Sequence, residues 1–180
     1  MILGSSDIRA RMETASLSIE PIMDDTVREN GVDLRVGDEI LRIRKNDKVV
    51  DMLDAASMEN VYSRESVQDG FVLQPNERLL IKIKEKVRLP NDLVGFCNIR
   101  STFARLGVSI PPTIIDAGFD GYLTILIIGS NVPIMIKTGT RFLHVVFSTT
   151  KSAVDKPYAG KYQNSGGAVG ARKDINAGER

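Results

Sequence analysis

The sequence has no tryptophan, one cysteine and one histidine among its 180 residues. A structural zinc site needs about four cysteine and histidine ligands, so Cys97 and His144 are too few to form one. The zinc-dependent nucleoside deaminases are excluded too, because their H-x-E and C-x-x-C ligands are missing. Cys97 lies in the apolar run Val94-Gly95-Phe96-Cys97. We predict that it is a buried thiol in a reducing, intracellular setting.

The sequence also lacks an excess of positive or negative charge: 24 Lys and Arg and 23 Asp and Glu give a net charge of +1. This balance gives no electrostatic reason to expect a nucleic acid or a membrane surface as a partner. No apolar run reaches membrane-spanning length, and the start Met1-Ile2-Leu3-Gly4 is too short for a signal peptide. We therefore expect a soluble cytoplasmic protein.

The sequence does contain many short strand patterns separated by glycine, proline and asparagine. In the first of them Val32, Leu34 and Val36 alternate with polar residues, which places Asp33 and Arg35 on its solvent face. Such a series is typical of an all-β sandwich or distorted barrel. Helices are predicted only from Ser5 to about Thr14 and over Phe103-Ala104-Arg105-Leu106. The polar region 45–70 is predicted to be a long loop or an insertion, without an assigned role.

The stretch from Arg100 to Ile128 carries polar residues that a fold alone does not need. A run ending at Ile115 and a run starting at Tyr122 predict a long hairpin around a glycine-bearing turn. Such a turn requires glycine, but it requires neither two aspartates nor an exposed Phe119. A polyphosphate would need a cationic fork and free N–H groups, and its hydrolysis would need a carboxylate to deprotonate water. The alternative is that the aspartates simply form the turn and that Arg100-Ser101-Thr102 caps a helix.

The motifs of this stretch resemble those of the deoxyuridine triphosphatase / dCTP deaminase superfamily. Arg100-Ser101-Thr102 followed by Ala104 resembles its R-S-S/G-x-A phosphate turn, and Ile114-Ile115-Asp116 with Phe119 and Gly121 resembles its G-V-I-D-x-x-Y-x-G hairpin. Two further segments follow the same pattern. Gly31-Val32-Asp33-Leu34 resembles the G-x-D-L/V motif, and Gly139 to His144 resembles G-x-R-I-A-Q, with histidine in place of glutamine.

The resemblance implies a mainly β, distorted-barrel or jelly-roll-like fold and a role for each matching residue. Asp116 would activate a water for attack on the α-phosphorus of dUTP, and Asp33 would orient a hydrated Mg²⁺ cofactor. His144 is predicted to be a satisfied histidine at a subunit contact. The family assembles as a trimer, which implies a homotrimer with sites between subunits. The residues implied in substrate binding are Arg100, Ser101, Thr102, Arg105, Thr113, Ile114, Ile115 and Phe119.

The chain is predicted to divide into a β domain over residues 1–155 and a glycine-rich tail over residues 156–180. Glycine-rich tails are most often flexible linkers. Here the glycines accompany Lys161, Tyr162, Gln163 and Arg172, a composition that suits a lid over phosphates. Lys161-Tyr162-Gln163 resembles the closing segment of the deaminase branch, and Gly166-Gly167 resembles that of the triphosphatases.

One position separates the two branches of the superfamily. The resemblance places the proton-shuttling glutamate of the deaminases at Leu126, and leucine cannot transfer a proton. The deaminases' Ala-His/Trp pair before the Ile-Asp is also missing, although the chain length, the N-terminal helix, Arg105 and the tail are deaminase-like. We predict a dUTP pyrophosphatase that forms dUMP and pyrophosphate. There are two alternatives. The first is a dCTP deaminase, including a bifunctional one that forms dUMP, in which Asp120 replaces the glutamate. The second is a non-catalytic nucleotide-binding or regulatory protein.

Overall fold

The computed structural model describes residues 1–45, 48–58 and 60–174. Its helices are α1 (Ser5–Glu13), α2 (Ala55–Met58) and α3 (Ser101–Arg105). Its strands are β1 (Ser18–Glu20), β2 (Val27–Arg28), β3 (Gly31–Ile43), β4 (Tyr62–Ser66), β5 (Phe71–Leu73), β6 (Arg78–Arg88), β7 (Leu93–Ile99), β8 (Thr113–Ile115), β9 (Asp120–Ile128), β10 (Ile134–Ile136) and β11 (Arg141–Thr149). No helix in these ranges is long and apolar enough to cross a membrane.

Nine of the strands form one antiparallel sheet that curls into a distorted, open barrel. Its order is β1-β6-β3-β11-β7-β8, with β9 beside β6 and with β2 and β4 beside β3. Strands β5 and β10 form a separate pair. The order leaves β8 and β9 at opposite edges of the sheet although only four residues separate them in the chain. The sheet must therefore curl until its two edges meet, which confirms the predicted mainly β, barrel-like fold.

The interior of the barrel is filled by the alternate apolar residues of these strands. In β9, for example, Leu123, Ile125 and Ile127 are buried, whereas Tyr122, Thr124 and Leu126 are half-buried on the other face. Cys97 is buried, as predicted, and burial raises the pKa of its thiol to about 12. A thiol with that pKa is not a nucleophile at neutral pH, so Cys97 serves as core packing.

The predicted loop over residues 45–70 is wrong in part, because β4 lies within it. β4 pairs antiparallel with β3, with Leu41 opposite Arg64 and Ile43 opposite Tyr62. Its sequence, Tyr-Ser-Arg-Glu-Ser, has no apolar alternation. An edge strand that is half-exposed on both faces does not need one, so periodicity could not reveal it.

The predicted long hairpin is also wrong as a pairing, because its two strands have different partners. β8 pairs with β7, and β9 pairs with β6. Among the described residues, an isolated bridge joins the segment before β8 to the end of β9: the N–H and C=O groups of Ser109 and Ile128 exchange hydrogen bonds of 3.1 and 2.9 Å. In that register Thr113 comes opposite Thr124 across a gap. The chain thus retains the outline of a hairpin whose strands part in the middle, and the gap between them is the candidate site.

Candidate active site

A cavity of about 420 Å³ occupies the gap between β8 and β9. Most of its wall is apolar and aromatic, and residues 158–171 of the tail close one side. A mainly apolar cavity with a few polar groups is the usual form of a small-molecule site. The predicted site residues that line it are Thr113, Ile114, Ile115, Asp116, Phe119 and Tyr162.

Asp116 lies at the end of β8, at the mouth of this cavity. Its backbone C=O accepts a hydrogen bond from the Phe119 N–H (3.1 Å), which closes the turn. The side chain is exposed, and within the described ranges it has no ion pair or hydrogen bond. Asp116 is also the one carboxylate among the described residues that line the cavity. A carboxylate in this state can accept a hydrogen bond, and then a proton, from a bound water.

Phe119 is 6 % exposed, so the prediction of an exposed phenylalanine is wrong. Its ring packs against Tyr158 of the tail, with the ring centroids 5.9 Å apart. The tail crosses the turn at this point, where the Tyr158 N–H donates to the Ala117 C=O (2.8 Å). The sequence could not reveal this cover, because it comes from a segment about forty residues away. Phe119 is therefore part of the cavity wall, and its predicted contact with deoxyribose remains a prediction.

The tail continues along the free edge of β9. The Asn164 N–H donates to the Asp120 C=O (2.8 Å), and the Tyr122 N–H donates to the Ser165 C=O (3.1 Å). The Gln163 side chain donates to the Gly118 C=O and accepts from the Asp120 N–H, both at 3.0 Å. Both polar ends of Gln163 thus hold the turn, while its predicted substrate contact remains a prediction.

The predicted cations of the tail lie beside the cavity rather than in its wall. The Lys161 Nζ donates to the Arg172 C=O (3.1 Å), and the Arg172 guanidinium donates to the Lys161 C=O. Both cations flank the ring of Tyr162, at 5.7 and 5.9 Å from its centroid. They also line an open groove of about 880 Å³ next to the cavity. The division of the chain at residue 155 and the tail's role as a lid remain predictions.

Asp33 belongs to a second group of charged residues, which we name the Asp33 cluster: Asp33, Arg100, Arg141 and His144. Asp33 is 2 % exposed, not on the solvent face that the alternation predicted. Its Oδ2 pairs with Arg100 Nε (3.0 Å) and with Arg141 Nη1 (3.3 Å), and its Oδ1 contacts His144 Nδ1 (2.9 Å). Burial raises the pKa of this carboxyl, but the His144 hydrogen bond and the two guanidiniums outweigh burial, so its pKa is lowered.

The Asp33 cluster does not fit the predicted role of Asp33 in orienting a hydrated Mg²⁺. Both carboxylate oxygens already have partners, and Arg100 and Arg141 are permanent cations that would repel a divalent ion. Within the described ranges no three acidic, histidine or cysteine residues come close enough to hold a metal. The geometry instead makes Asp33 the anion that orients Arg100 and Arg141.

Arg141 was not among the predicted site residues, although the Gly139 to His144 motif contains it. Its contact with Asp33 depends on β3 and β11 being neighbours, with His144 directly opposite Asp33. These partners are more than a hundred residues apart in the chain, so the sequence contains no local signal for the contact. The prediction that His144 is a satisfied histidine is confirmed by its Asp33 partner, whereas its place at a subunit contact remains a prediction.

The predicted phosphate-binding residues lie far from Asp116 in a single chain. Gly95 of β7 is opposite Ile115, so Asp116 comes opposite Val94, six residues before Arg100. Six residues of β-strand span roughly 20 Å. The predicted residues beyond Arg100 are exposed on or beside α3, namely Ser101, Thr102 and Arg105. One chain therefore holds the two halves of the predicted site at opposite ends of β7.

Comparisons with known proteins agree with this architecture. The family model described as dCTP deaminase-like matches residues 2–150. A probable deoxyuridine 5′-triphosphate nucleotidohydrolase of Sulfolobus islandicus rod-shaped virus 1 is 47% identical over 97% of this chain and 100% of its own length. Proteins named dCTP deaminase from Acidianus ambivalens and Desulfurococcus amylolyticus are 49% and 50% identical, over 94% and 97% of this chain and 96% of each relative.

A solved structure shares the fold. The crystal structure of 2′-deoxycytidine 5′-triphosphate deaminase from Agrobacterium tumefaciens superimposes with a TM-score of 0.66 at 24% identity. The match covers 81% of this chain and 46% of that one, so this chain spans about half of that protein's length. This similarity shows the shared fold, and the family model and the relatives show that the chain belongs to the dCTP deaminase-like family of the superfamily that also contains the dUTPases.

Proposed function

We propose that this protein is a dUTP pyrophosphatase, which hydrolyses dUTP to dUMP and pyrophosphate. The observation that carries the proposal is the set of ionisable groups around the cavity. Asp116 is the one carboxylate among its described lining residues, and Leu126 stands on the same face of β9 as Tyr122 and Thr124. Hydrolysis at phosphorus needs one carboxylate, whereas deamination needs a further acid and base at the ring.

In this reaction Asp116 accepts a proton from a water as that water attacks the α-phosphorus. The attack forms a new phosphorus–oxygen bond and breaks the bond to the bridging oxygen, so pyrophosphate leaves. The position of Asp116 at the end of β8 fixes its backbone, and the absence of a cation on its carboxylate within the described ranges leaves it available as a base.

Recognition of uracil is assigned to the free edge of β9. Tyr122 and Ile128 direct their backbone groups away from β6, toward Ser165 and Ser109. Because backbone groups of a strand alternate in direction, Thr124 directs its N–H and C=O the same way, into the gap. A donor beside an acceptor is complementary to O4 and N3–H of uracil, whereas cytosine offers a donor and an acceptor in the opposite order. A site built of such groups rejects the wrong base strongly.

The tail would complete the site around the rest of the nucleotide. Tyr162 lines the cavity, and Lys161 and Arg172 beside it supply positive charge for the phosphates. Phe119 forms the wall beneath the deoxyribose and leaves no space for a 2′-hydroxyl. A closed tail also excludes water other than the one held by Asp116.

The functional unit in this proposal is a homotrimer in which each site lies between two subunits. Arg100 and Asp116 are too far apart in one chain to act on the same triphosphate. The surface between them carries an exposed apolar row, in which Phe96 is 43 % and Ile114 57 % exposed and lie opposite each other on β7 and β8. A neighbouring subunit that covers this row would bring its own Arg100, Ser101, Thr102 and Arg105 to the cavity.

The test is to incubate the purified protein with dUTP or dCTP and magnesium while dUMP, pyrophosphate and ammonia are measured together. We expect dUMP and pyrophosphate from dUTP and no ammonia from dCTP. Release of ammonia from dCTP would overturn the proposal in favour of the deaminase. Tight dUTP binding without release of pyrophosphate would instead support a non-catalytic, regulatory role.

The second candidate is dCTP deaminase, because several relatives at 44–50% identity carry that name. It needs a proton-transferring group near the base in place of Leu126. Asp120 is the carboxylate on the same face of β9, but six residues of strand place it roughly 20 Å from Leu126. Its Oδ1 also pairs with Lys86 Nζ at 2.8 Å. Asp120 is therefore a poor replacement, and the deaminase remains the second choice.

A further inference from the structure

The Glu39 and Arg64 side chains, which form an ion pair across β3 and β4, hydrogen-bond to the peptide backbone of the tail. The Ala168 N–H donates to Glu39 Oε2 (2.6 Å), and the Ala168 C=O accepts from Arg64 Nη2 (2.9 Å). Arg64 Nη1 also donates to Glu39 Oε1, so the two side chains hold each other. A charged donor and a charged acceptor thus bind both backbone groups of one residue, and such charge-assisted hydrogen bonds are the strong ones.

The residues on either side of Ala168 are shaped to the same surface. A Cβ on Gly167 would lie 3.1 Å from Glu39 Oε2, and a Cβ on Gly170 would lie 2.4 Å from Tyr62 Cε2. The Ala171 N–H donates to the Tyr62 hydroxyl at 3.1 Å. These glycines therefore allow the tail to approach β3 and β4 more closely than a residue with a side chain would.

The same short segment also reaches the cavity. Val169, which follows Ala168, donates its N–H to Thr124 Oγ1 (3.0 Å), and both Val169 and Thr124 line the cavity. Ala168 is 1 % exposed, so the segment is packed rather than lying loosely on the surface. Consecutive residues of the tail are thus tied to β3 and β4 on one side and to β9 on the other.

We propose that Glu39 and Arg64 are positioning residues that hold the tail closed over the cavity before the nucleotide binds. This inference rests on the proposed function for its kinetic consequence, but not for its structural one. It assigns a role to β4, which lies in the region 45–70 where no sequence pattern indicated one: β4 presents Arg64 and Tyr62 to the tail. Neither residue lines the cavity, Glu39 does not line the adjoining groove either, and Arg64 lines that groove with its guanidinium bound to Glu39 and to the Ala168 C=O; the pair therefore acts through the tail.

The test compares Glu39→Gln and Arg64→Gln with Glu65→Gln as a matched control. Glu65 pairs with Arg42 across the same two strands, with Arg42 Nε to Glu65 Oε1 at 2.9 Å, and no contact of Glu65 reaches the tail in the described ranges. Deuterium exchange of the amides of residues 164–171 is measured without nucleotide. We call the Glu39–Arg64 pair the latch, and Glu39→Gln and Arg64→Gln the latch variants. We expect roughly tenfold faster exchange in the latch variants, since loss of one charge-assisted hydrogen bond is worth about a factor of ten. The Glu65 variant should exchange like the wild type.

Kinetics then separate positioning from a general effect on the fold. If only a fraction of the molecules have a closed tail, the apparent affinity for nucleotide is the intrinsic affinity multiplied by that fraction. The KM for dUTP should therefore rise several-fold in the Glu39 and Arg64 variants, while kcat changes by less than about twofold because bound nucleotide closes the tail again. The melting temperatures of Glu39→Gln and Glu65→Gln should be similar, since both lose one ion pair.

The outcomes distinguish failure of this inference from failure of the proposed function. Unchanged exchange in both latch variants, or equal acceleration in Glu65→Gln, would overturn the latch even if the protein hydrolyses dUTP. Conversely, faster exchange confined to the latch variants would support it even if dUTP proves not to be the substrate. A lower kcat with an unchanged KM would assign the pair to the chemical step instead and would contradict the inference.

Discussion

Asp116 and Asp33 are the same residue type in opposite surroundings. Asp116 is exposed at the mouth of an apolar cavity and has no cationic partner in the described ranges, whereas Asp33 is buried beneath two arginines and a histidine. Both match family motifs, so the resemblance implied a role in the reaction for each. The comparison shows that the partners of a carboxylate decide its role: a free one can accept a proton, and a saturated one orients its cations.

Asp116→Asn is expected to give the largest effect. The amide keeps the size of the side chain but cannot accept a proton, so kcat for release of pyrophosphate should fall by about 10²- to 10⁴-fold. Affinity for a non-hydrolysable dUTP analogue and the melting temperature should change little, because the carboxylate has no partner to lose in the described ranges. Turnover that survives the substitution would show that Asp116 is not the base.

Mixing two inactive variants tests whether the two regions act in the same site across a subunit boundary. Arg100→Ala and Asp116→Asn each damage one half of the site. In randomly mixed trimers, about one site in four combines an intact Asp116 with a neighbour's intact Arg100. Unfolding and refolding the two proteins together should therefore restore about a quarter of the wild-type rate.

The control for this mixing experiment is to refold each variant alone. Neither should recover activity by itself, and light scattering should report a trimer in both. If the mixture stays inactive although mixed trimers form, then Arg100 and Asp116 belong to the same chain's site. Activity of Arg100→Ala refolded alone would instead show that Arg100 has no role in the site.

The outcomes at these two residues also show what the sequence could and could not predict. The strand patterns predicted the mainly β fold and the strand β3, and the motifs placed Asp116 at a turn; the structure adds the ligand-sized gap beside that turn. The partners of Asp33 could not be predicted, since Arg141 and His144 become neighbours of Asp33 only through the pairing of β3 with β11. Local patterns specify strands and turns, but pairing is decided by the whole sheet.

The same distinction explains the other misses. Phe119 is covered by Tyr158, which comes from the tail, and β4 is an edge strand without apolar alternation. The parting of β8 from β9 depends on each strand finding a different partner, β7 and β6. No property of residues 113–128 taken alone distinguishes that opened hairpin from a closed one.

The main expected effect of Asp33→Asn is on the stability of the fold. Asp33 is nearly fully buried, and its replacement leaves Arg100 without a carboxylate partner in the described ranges, whereas Arg141 keeps its pair with Asp25 at 3.1 Å. We expect a loss of about 3 kcal/mol in the free energy of unfolding, measured by urea denaturation. Asp92→Asn is the matched control: its pair with Arg11 is more exposed, with Asp92 38 % exposed, so its loss should be below about 1 kcal/mol. Equal losses in the two variants would contradict the orienting role of Asp33.

The stabilising effect of Asp33 should disappear in acid. Its pKa in the folded protein lies below the ordinary value of 3.8, so the ionised form is favoured by folding. The contribution is fully present above pH 3.8 and is lost as the pH falls below that value through the lowered pKa. The difference in unfolding free energy between wild type and Asp33→Asn should therefore be constant from pH 7 to 5 and shrink below pH 4. A difference that grows in acid would mean that the pKa of Asp33 is raised.

Asp120→Asn is expected to have the smallest effect, although Asp120 is close to Asp116 in the sequence. Its carboxylate pairs with Lys86 on the outside of the barrel and does not line the cavity. The rate of pyrophosphate release should stay within about twofold of the wild type, because surface ion pairs contribute little. The informative measurement is ammonia release from dCTP in both proteins. If the wild type released ammonia and Asp120→Asn did not, then Asp120 would be the missing deaminase group. Asp120 would then act in the reaction although its carboxylate pairs with Lys86, and the comparison of Asp116 with Asp33 would not be enough to assign the roles.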